Sequence, residues 1–378
     1  MTGTPTVAVL GLGTMGLGIA QLYAQAGHGV IASDAVAAAR DTAKERLAAA
    51  LDARVKAGKL AQPERDATLG HLTVVDDLAA LAQARLVIEA VVEDLAIKQA
   101  LFTEVERHVT PDAVLATNTS SLSVSAIMAK LAHPARGIGL HFFNPAPVMK
   151  LVELVVPDNA SAEAVQLARR VTEAAGKTVI ACRDTPGFIV NRCARPYYGE
   201  ALAILEEGRS AADIDAAMLK AGYKLGPFSL IDLIGADINL AATRGLSQAM
   251  ANHPRYHVFE ALVSQVAQGN LGRKSGRGFL HPATPVNAPE DWQEIALRIA
   301  ATLANEAAYL AQESGLKPGD IDAALKLGLN FPHGPFEMAR AHGADRIITT
   351  LNGLEATAPP RLKGRYTPAA ALGPLIGA

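Results

Sequence analysis

Six residues near the start of the chain, Gly11-Leu12-Gly13-Thr14-Met15-Gly16, restrict its fold more than any others. They follow an apolar run, Thr6-Val7-Ala8-Val9-Leu10, and lead into an uncharged stretch with helical spacing. A G-x-G-x-x-G that closes a strand and opens a helix is the phosphate-binding turn of a parallel α/β sheet. Its first glycine permits the tight turn, the second lets a pyrophosphate approach the backbone, and the third lets helix and strand pack closely. The N–H groups of the first helical turn, at Thr14, Met15 and Gly16, then face the phosphates along with the positive end of the helix dipole. Asp34 closes the next apolar run, at the spacing from Gly11 where a carboxylate can accept from ribose hydroxyls. That placement favours NAD over NADP, whose extra phosphate an aspartate repels. Residues 1–33 carry no Asp, Glu, Lys or Arg, a trait shared with membrane segments. Because Gly11, Gly13, Gly16 and Gly18 interrupt them and no basic stretch leads in, neither a signal peptide nor a membrane span is expected.

Downstream, short apolar runs alternate with Ala-rich stretches of helical spacing, the pattern of a parallel sheet wrapped by helices. Strands are expected at residues 6–10, 30–33, 86–89, 113–116, 137–141, 151–155 and 178–181, and helices at 14–26, 35–57, 95–108 and 162–175. Past Thr185 the strand signal fades, and Asp184-Thr185-Pro186-Gly187 is a strong break. The remainder repeats itself. Gly226-Pro227-Phe228 recurs as Gly334-Pro335-Phe336, and Gly235-Ala236-Asp237 recurs at the same offset as Gly343-Ala344-Asp345. Asp213-Ile214-Asp215-Ala216-Ala217 matches Asp320-Ile321-Asp322-Ala323-Ala324, and Glu200-Ala201 matches Glu306-Ala307. Ordered matches at nearly constant spacing indicate a duplicated unit. The expected fold class is an α/β, Rossmann-like, doubly wound sheet followed by an all-α region in which the helical domain occurs twice. Residues 1–184 form the dinucleotide-binding domain, 185–283 the first helical copy and 292–370 a second, degenerate copy, joined through the loop-like residues 281–289.

Composition agrees with this division. At 378 residues the chain exceeds one ordinary core, and half of its residues are hydrophobic, which excludes a disordered chain. Lys and Arg number 35 against 37 Asp and Glu, so no global field draws the chain to nucleic acid or anionic lipid. Cys182 and Cys193 are too few for a disulfide framework and follow no metal-ligand spacing. They are read as packing residues in a reducing compartment, and a cytoplasmic protein without a metal is expected.

Two places combine polar residues with apolar strands. The run 113–116 ends in Thr117-Asn118-Thr119-Ser120-Ser121. Such groups either face the crevice at the carboxyl ends of the strands or cap a helix over residues 123–130. Glu153 is a lone carboxylate inside Leu151-Val152-Glu153-Leu154-Val155-Val156, and burying it unpaired would cost several kcal/mol. His141 ends the preceding apolar run, and Asn144-Pro145-Ala146-Pro147 supplies a turn between the two. A His–Glu pair follows, in which the carboxylate orients the imidazole and stabilises its protonated form, giving a general base.

Several further motifs join these: Val87-Ile88-Glu89-Ala90-Val91-Val92-Glu93, Asn118-Thr119-Ser120-Ser121, His141-Phe142-Phe143-Asn144-Pro145, Pro186-Gly187-Phe188-Ile189-Val190-Asn191-Arg192 and Gly272-Arg273-Lys274-Ser275-Gly276-Arg277-Gly278-Phe279. With the glycine turn they resemble the L-3-hydroxyacyl-CoA dehydrogenase family over about residues 5–280. The extra helical copy is similar to the tandem C-terminal domains of the fatty-acid oxidation multienzyme and of phenylacetate-pathway dehydrogenases. The resemblance implies that His141 takes the 3-hydroxyl proton as hydride leaves C3 for the nicotinamide of NAD, with Glu153 holding it. It further implies that Ser120 and Asn191 bond the substrate oxygen and active-site groups. Glu93, Lys98 and Asn118 match positions lining the cofactor cleft, and Asn144 matches an asparagine near the reacting groups. The acyl-CoA partner needs basic groups for its phosphates, and Arg54, Lys56 and Lys59 form such a cluster, which reads equally as a solvated helix end. Two departures stand out: Leu280 replaces a common aromatic after Gly278-Phe279, and the second copy lacks the Gly-Arg-Lys-Ser stretch, so it is expected to make no second active site.

The expected activity is NAD-dependent oxidation of (S)-3-hydroxyacyl-CoA to 3-oxoacyl-CoA, and the reverse. Two alternatives stay open: a dehydrogenase of a free hydroxy acid, which would not need the Arg54, Lys56 and Lys59 cluster, and a catalytically idle NAD-binding protein. Retention of His141, Glu153, Ser120 and Asn191 together argues against idleness. Single-copy members of the family pair their helical domains across a dimer interface, so the two copies here are expected to pack face to face with pseudo-twofold symmetry, as a monomer with an internal pseudo-dimer or as a homodimer.

Overall fold

A computed structural model describes residues 4–284 and 287–377. The chain divides into two compact units, Met1–Phe188 and Ile189–Ala378, so the division falls slightly beyond the expected 184/185 boundary. Of the expected linker 281–289, Pro285 and Val286 lie outside the described residues.

Strands buried on both faces read as unbroken apolar runs, and such runs form the first unit's sheet. They are β1 (Val7–Leu10), β2 (Val30–Ser33), β3 (Leu72–Val74), β4 (Leu86–Glu89), β5 (Val114–Thr117), β6 (Gly137–Phe142), β7 (Leu151–Val156) and β8 (Thr178–Arg183). Their order is β3-β2-β1-β4-β5-β6-β7-β8. Every neighbouring pair is parallel except β6 and β7, which run antiparallel. Helices α1 (Thr14–Gln25), α2 (Ala37–Lys56), α3 (Gln62–Gly70), α4 (Leu95–Val105), α5 (Val124–Met128) and α6 (Ala162–Ala174) connect them. Side chains at helix starts satisfy amides that have no partner within the helix: Asp94 accepts from Ile97 N, and Ser161 from Ala164 N. The buried Tyr23 hydroxyl lies 2.8 Å from Thr172 Oγ1 and ties α1 to α6.

The sequence reading contains no counterpart of α3 and β3. The edge strand β3 is very short, with one of its residues exposed, and leaves too little apolar run to register. At the other edge, β8 continues past the expected 178–181, because its pairing with β7 extends to Val156 and Arg183.

The second unit is helical: α7 (Val190–Cys193), α8 (Arg195–Glu206), α9 (Ala211–Lys220), α10 (Pro227–Ile234), α11 (Ala236–Ala249), α12 (Glu260–Ala267), α13 (Trp292–Ser314), α14 (Pro318–Leu329), α15 (Pro335–His342), α16 (Ala344–Thr357) and α17 (Leu372–Gly377). The repeated residues occupy matching places. Asp215 caps α10 by accepting from Phe228 N and Ser229 N, each at 2.8 Å. Asp322 caps α15 likewise, from Phe336 N at 2.8 Å and Glu337 N at 3.1 Å. A Cβ on Gly226 or on Gly334 would stand 2.3 Å from the capping aspartate, which explains the Gly-Pro-Phe in both copies. Where the copies differ, the structure supplies a reason. Asp232 accepts from Phe279 N, Leu280 N and His281 N, each at 2.8 Å, and so anchors the end of the stretch that Gly272-Arg273-Lys274-Ser275 begins. In the second copy the place of Asp232 is taken by Arg340, which pairs with Asp322 at 3.3 Å, so no carboxylate stands there to hold such a segment.

The copies meet through reciprocal buried ion pairs. Glu306, 1% exposed, takes Arg192 at 2.7 Å, Arg255 at 2.9 Å and the Tyr256 hydroxyl at 2.5 Å, all from the first copy. Glu200, fully buried, takes Arg298 at 2.7 Å, Arg365 at 3.1 Å and the Tyr366 hydroxyl at 3.0 Å, all from the second. Two equivalent sets that each reach across to the other copy are the signature of an isologous contact. Removing one partner leaves a buried charge uncompensated. Glu306→Ala and Glu200→Ala should therefore each destabilise the full chain by about 3–5 kcal/mol in denaturant unfolding; a loss under about 1 kcal/mol would mean that the network is solvated in practice.

Candidate active site

The carboxyl ends of β1, β4, β5 and β6 bring the first unit's candidate residues into one region. Gly11 leaves β1 at φ +95°, and a Cβ there would stand 2.5 Å from Ala90 O. A Cβ on Gly16 would stand 1.8 Å from Gly11 O, so helix and turn touch. Around Gly13, apart from its own chain neighbours, no atom of the described residues lies within 4 Å of a Cβ position. That open cradle, with the first turn of α1 behind it and Thr14, Met15 and Gly16 as its amides, fits a dinucleotide pyrophosphate. Asp34 is fastened to the same turn: Oδ2 accepts from Leu12 N at 2.6 Å and Oδ1 from Val36 N at 2.8 Å. Arg46 donates to Leu12 O at 2.9 Å, and Arg40 to Asp34 O at 2.6 Å.

Glu93, which is 37% exposed, and buried Lys98 form a network that sequence reasoning grasped only in part. Glu93 Oε1 accepts from Thr119 Oγ1 at 2.6 Å, Ser120 N at 3.0 Å, Ser121 N at 3.2 Å and Ser121 Oγ at 3.0 Å. Its other oxygen lies 3.2 Å from Lys98 Nζ. Burial raises the Glu93 carboxyl, but the Thr119 hydroxyl, the Lys98 ammonium and the Ser120 amide outweigh it and hold the group below the ordinary carboxylate range. Glu93 thus shapes the turn that presents Ser120. Lys98, 1% exposed, is held at 2.6 Å by Glu89, which also accepts from Thr117 Oγ1 and Val91 N, each at 2.7 Å. Glu89 was missed as a site residue; a carboxylate at the end of an apolar strand was the available signal, as a carboxylate inside one was for Glu153. Ser123 caps α5, and Asp184 accepts from Ser123 Oγ, Val124 N and Ser125 N, so the end of β8 fixes the far side of the Ser120 turn.

His141 and Glu153 face each other directly across the antiparallel β6–β7 pair. Nδ1 of His141 lies 2.5 Å from Glu153 Oε2, and the carboxylate is fully buried. A carboxylate accepts from Nδ1–H, which leaves Nε2 as the basic nitrogen. The Phe143 ring stands 4.6 Å and the Phe188 ring 5.8 Å from the imidazole, and they wall it with apolar surface. Asn118 steadies the same strand by accepting from Phe142 N at 2.8 Å. Asn144 is exposed just beyond it. Arg54 and Lys56 stand at the far end of α2 from Asp34 and Lys59 just beyond it, and among the described residues none of the three makes a hydrogen bond or ion pair to a side chain of this site. Asn191 belongs to α7 of the second unit. No helix among the described residues is long and apolar enough to cross a membrane.

Comparison with known proteins adds to this geometry. The family model described as 3-hydroxyacyl-CoA dehydrogenase, NAD binding domain, matches residues 6–185. The model of the 3-hydroxyacyl-CoA dehydrogenase C-terminal domain matches twice, at residues 187–281 and 295–375. A 3-hydroxyadipyl-CoA dehydrogenase of Escherichia coli is 46% identical over 94% of this chain and 94% of its own. A 3-hydroxybutyryl-CoA dehydrogenase of Mycobacterium tuberculosis is 41% identical over 72% of this chain and 96% of its own. Among solved structures, a 3-hydroxybutyryl-CoA dehydrogenase from Escherichia coli superposes with a TM-score of 0.89 at 33% identity, covering 99% of both chains.

The glycine turn yields a paired prediction. Gly13→Ala meets only open space, so its melting temperature should stay near wild type while NADH binding, followed by fluorescence titration, weakens at least about tenfold. Gly16→Ala drives a methyl group into Gly11 O and should lower the melting temperature as well. Equal behaviour of the two variants would contradict the separate roles of the two glycines.

Proposed function

This chain belongs to the 3-hydroxyacyl-CoA dehydrogenase family, and we propose that His141 is the general base of its reaction, with Glu153 as the group that orients it. The enzyme is an NAD-dependent 3-hydroxyacyl-CoA dehydrogenase. In the oxidative direction the O–H bond at C3 breaks toward Nε2 of His141, the C3–O bond becomes a carbonyl, and His141 becomes an imidazolium facing the Glu153 carboxylate. Bound NAD supplies the acceptor for the hydride that leaves C3. Reduction of a 3-oxoacyl-CoA runs the same proton back from His141. The observation that carries this reading is the 2.5 Å contact between His141 Nδ1 and fully buried Glu153. Apolar walls at Phe143 and Phe188 strengthen that pairing by keeping the local dielectric low.

Ser120 and Asn191 are assigned to the substrate oxygen, Asn144 to the edge of the reacting groups, and Glu93, Lys98 and Asn118 to the walls of the cofactor cleft. For Glu93 and Lys98 the role is partly indirect, since both are spent on shaping the Ser120 turn. Arg54, Lys56 and Lys59 are proposed to meet the phosphates of coenzyme A. The substrate class is a 3-hydroxyacyl-CoA, and the first thioester to test is 3-hydroxyadipyl-CoA, for which the relative matched along 94% of both chains is named.

His141→Ala should lower turnover about 10²- to 10⁴-fold with NADH affinity unchanged. Wild-type turnover in that variant would end the proposal. Asp34 should make the enzyme prefer NADH to NADPH, and equal kcat/KM for both cofactors would take Asp34 out of that role. Neutralising Arg54, Lys56 and Lys59 together should raise KM for the CoA thioester and leave kcat near wild type; an unchanged KM would return them to a solvated helix end.

A further inference from the structure

A buried cation that the reaction does not use lies beneath the loop joining the two members of the His–Glu pair. Lys177 sits between α6 and β8 and is 7% exposed. Its Nζ donates to Ala146 O and to Met149 O, both at 2.6 Å. These carbonyls belong to residues 143–150, the connection from the strand of His141 to the strand of Glu153. Within that loop Pro145 O accepts from Val148 N at 2.9 Å and Met149 N at 3.0 Å. On its other side the loop rests on α1, the helix behind the glycine turn. A Cβ on Gly18 would stand 3.3 Å from Pro147 Cδ and 3.5 Å from Ala146 Cβ, and Ala146 itself is part of the core.

A lysine this deeply buried ordinarily pairs with a carboxylate. Among the described residues none lies within 4.0 Å of Lys177. Burial pushes its ammonium down to about 8, so near neutral pH the charged form persists at the expense of its hydration. An apolar residue would fill the space without that cost. What the ammonium adds is a pair of donors aimed at two carbonyls of one loop, which clasp it from within.

We infer that Lys177 is a positioning residue for the dehydrogenase reaction: by clasping residues 146 and 149 it sets where His141 stands relative to Glu153 and to the dinucleotide-binding helix α1. Its effect passes through the loop, since among the described residues Lys177 makes no hydrogen bond or ion pair to either side chain of the pair. Misplacing a reacting group by about 1 Å costs on the order of 10²-fold in rate, so a strap of this kind acts on turnover more than on cofactor affinity.

The test compares full-length wild type with Lys177→Met, which keeps the length and removes the donors, and Lys177→Gln, which keeps two N–H donors on a shorter arm. Lys177→Met should lower kcat about 10- to 100-fold, hold Kd for NADH within about 3-fold, and raise the isotope effect on kcat with NADH deuterated at the transferred position. Lys177→Gln should recover part of the rate. A lowered melting temperature with kcat and isotope effect at wild-type values would make Lys177 purely structural and overturn the inference, as would loss of NADH affinity in step with kcat. Should Lys177→Met fail to fold, Lys177→Gln decides by the same readouts. The inference rests on His141 as the base, and the two fail separately: an active His141→Ala variant removes the base, whereas an inactive one beside an unaffected Lys177→Met removes only the strap.

Discussion

Glu153 has no exposure to water, and a carboxylate in that position must be met by a cation or by donors. The first unit answers this demand with a reversal of its sheet. Every other neighbouring pair of strands is parallel, but β7 turns back along β6, and the register sets His141 opposite Glu153. A slip by one residue would move each side chain to the other face. The surrounding contacts can be read as guards on that register: Asn118 holds Phe142 N, β8 pairs along the whole of β7, and Lys177 clasps the connecting loop. Burial and reversal together turn an isolated histidine into an oriented one.

The second buried carboxylate of the sheet, Glu89, performs a different task with the same physics. Its partners are Lys98, Thr117 and the Val91 amide, and through Lys98 it is coupled to Glu93 and the turn that carries Ser120. Polar networks in a low-dielectric interior are costly unless satisfied, and this one is satisfied at each link described. The helical unit uses buried charge in a third way. Its Glu200 and Glu306 networks bring no catalytic group; they match one copy of the duplicated domain to the other. Hydrophobic packing alone would tolerate many arrangements of two similar helical copies, whereas paired charges demand one registry.

Much of this was legible in the chain itself. Unbroken apolar runs marked all the strands but β3, and the glycine spacing marked the turn before α1. Asp34 could be read from its distance to Gly11, and Glu153 from being the one charge in an apolar strand. Residues whose partners lie far along the chain were not legible, because neither periodicity nor motif spacing encodes such a pairing. Arg192 meets Glu306, and Lys177 meets Ala146, each across a long stretch of intervening chain. Glu89 was visible as a carboxylate ending a strand and Asp184 as part of a break, yet their targets, the Lys98 ammonium, backbone amides and hydroxyls, are brought together only by the folded loops. Edge strand β3 was lost for a simpler reason, since so short a strand leaves too little pattern to register.

The central claim is that Glu153 fixes the proton on one nitrogen of His141 and leaves the other basic. Nitrogen-15 NMR of histidine-labelled full-length enzyme measures this directly, with His141 assigned by its loss in a His141→Asn variant. The neutral ring should carry its proton on Nδ1, facing Glu153, and the Glu153→Gln variant should lose that tautomeric preference. A neutral ring protonated on Nε2 in the wild type, or one indifferent to Glu153→Gln, would contradict the account.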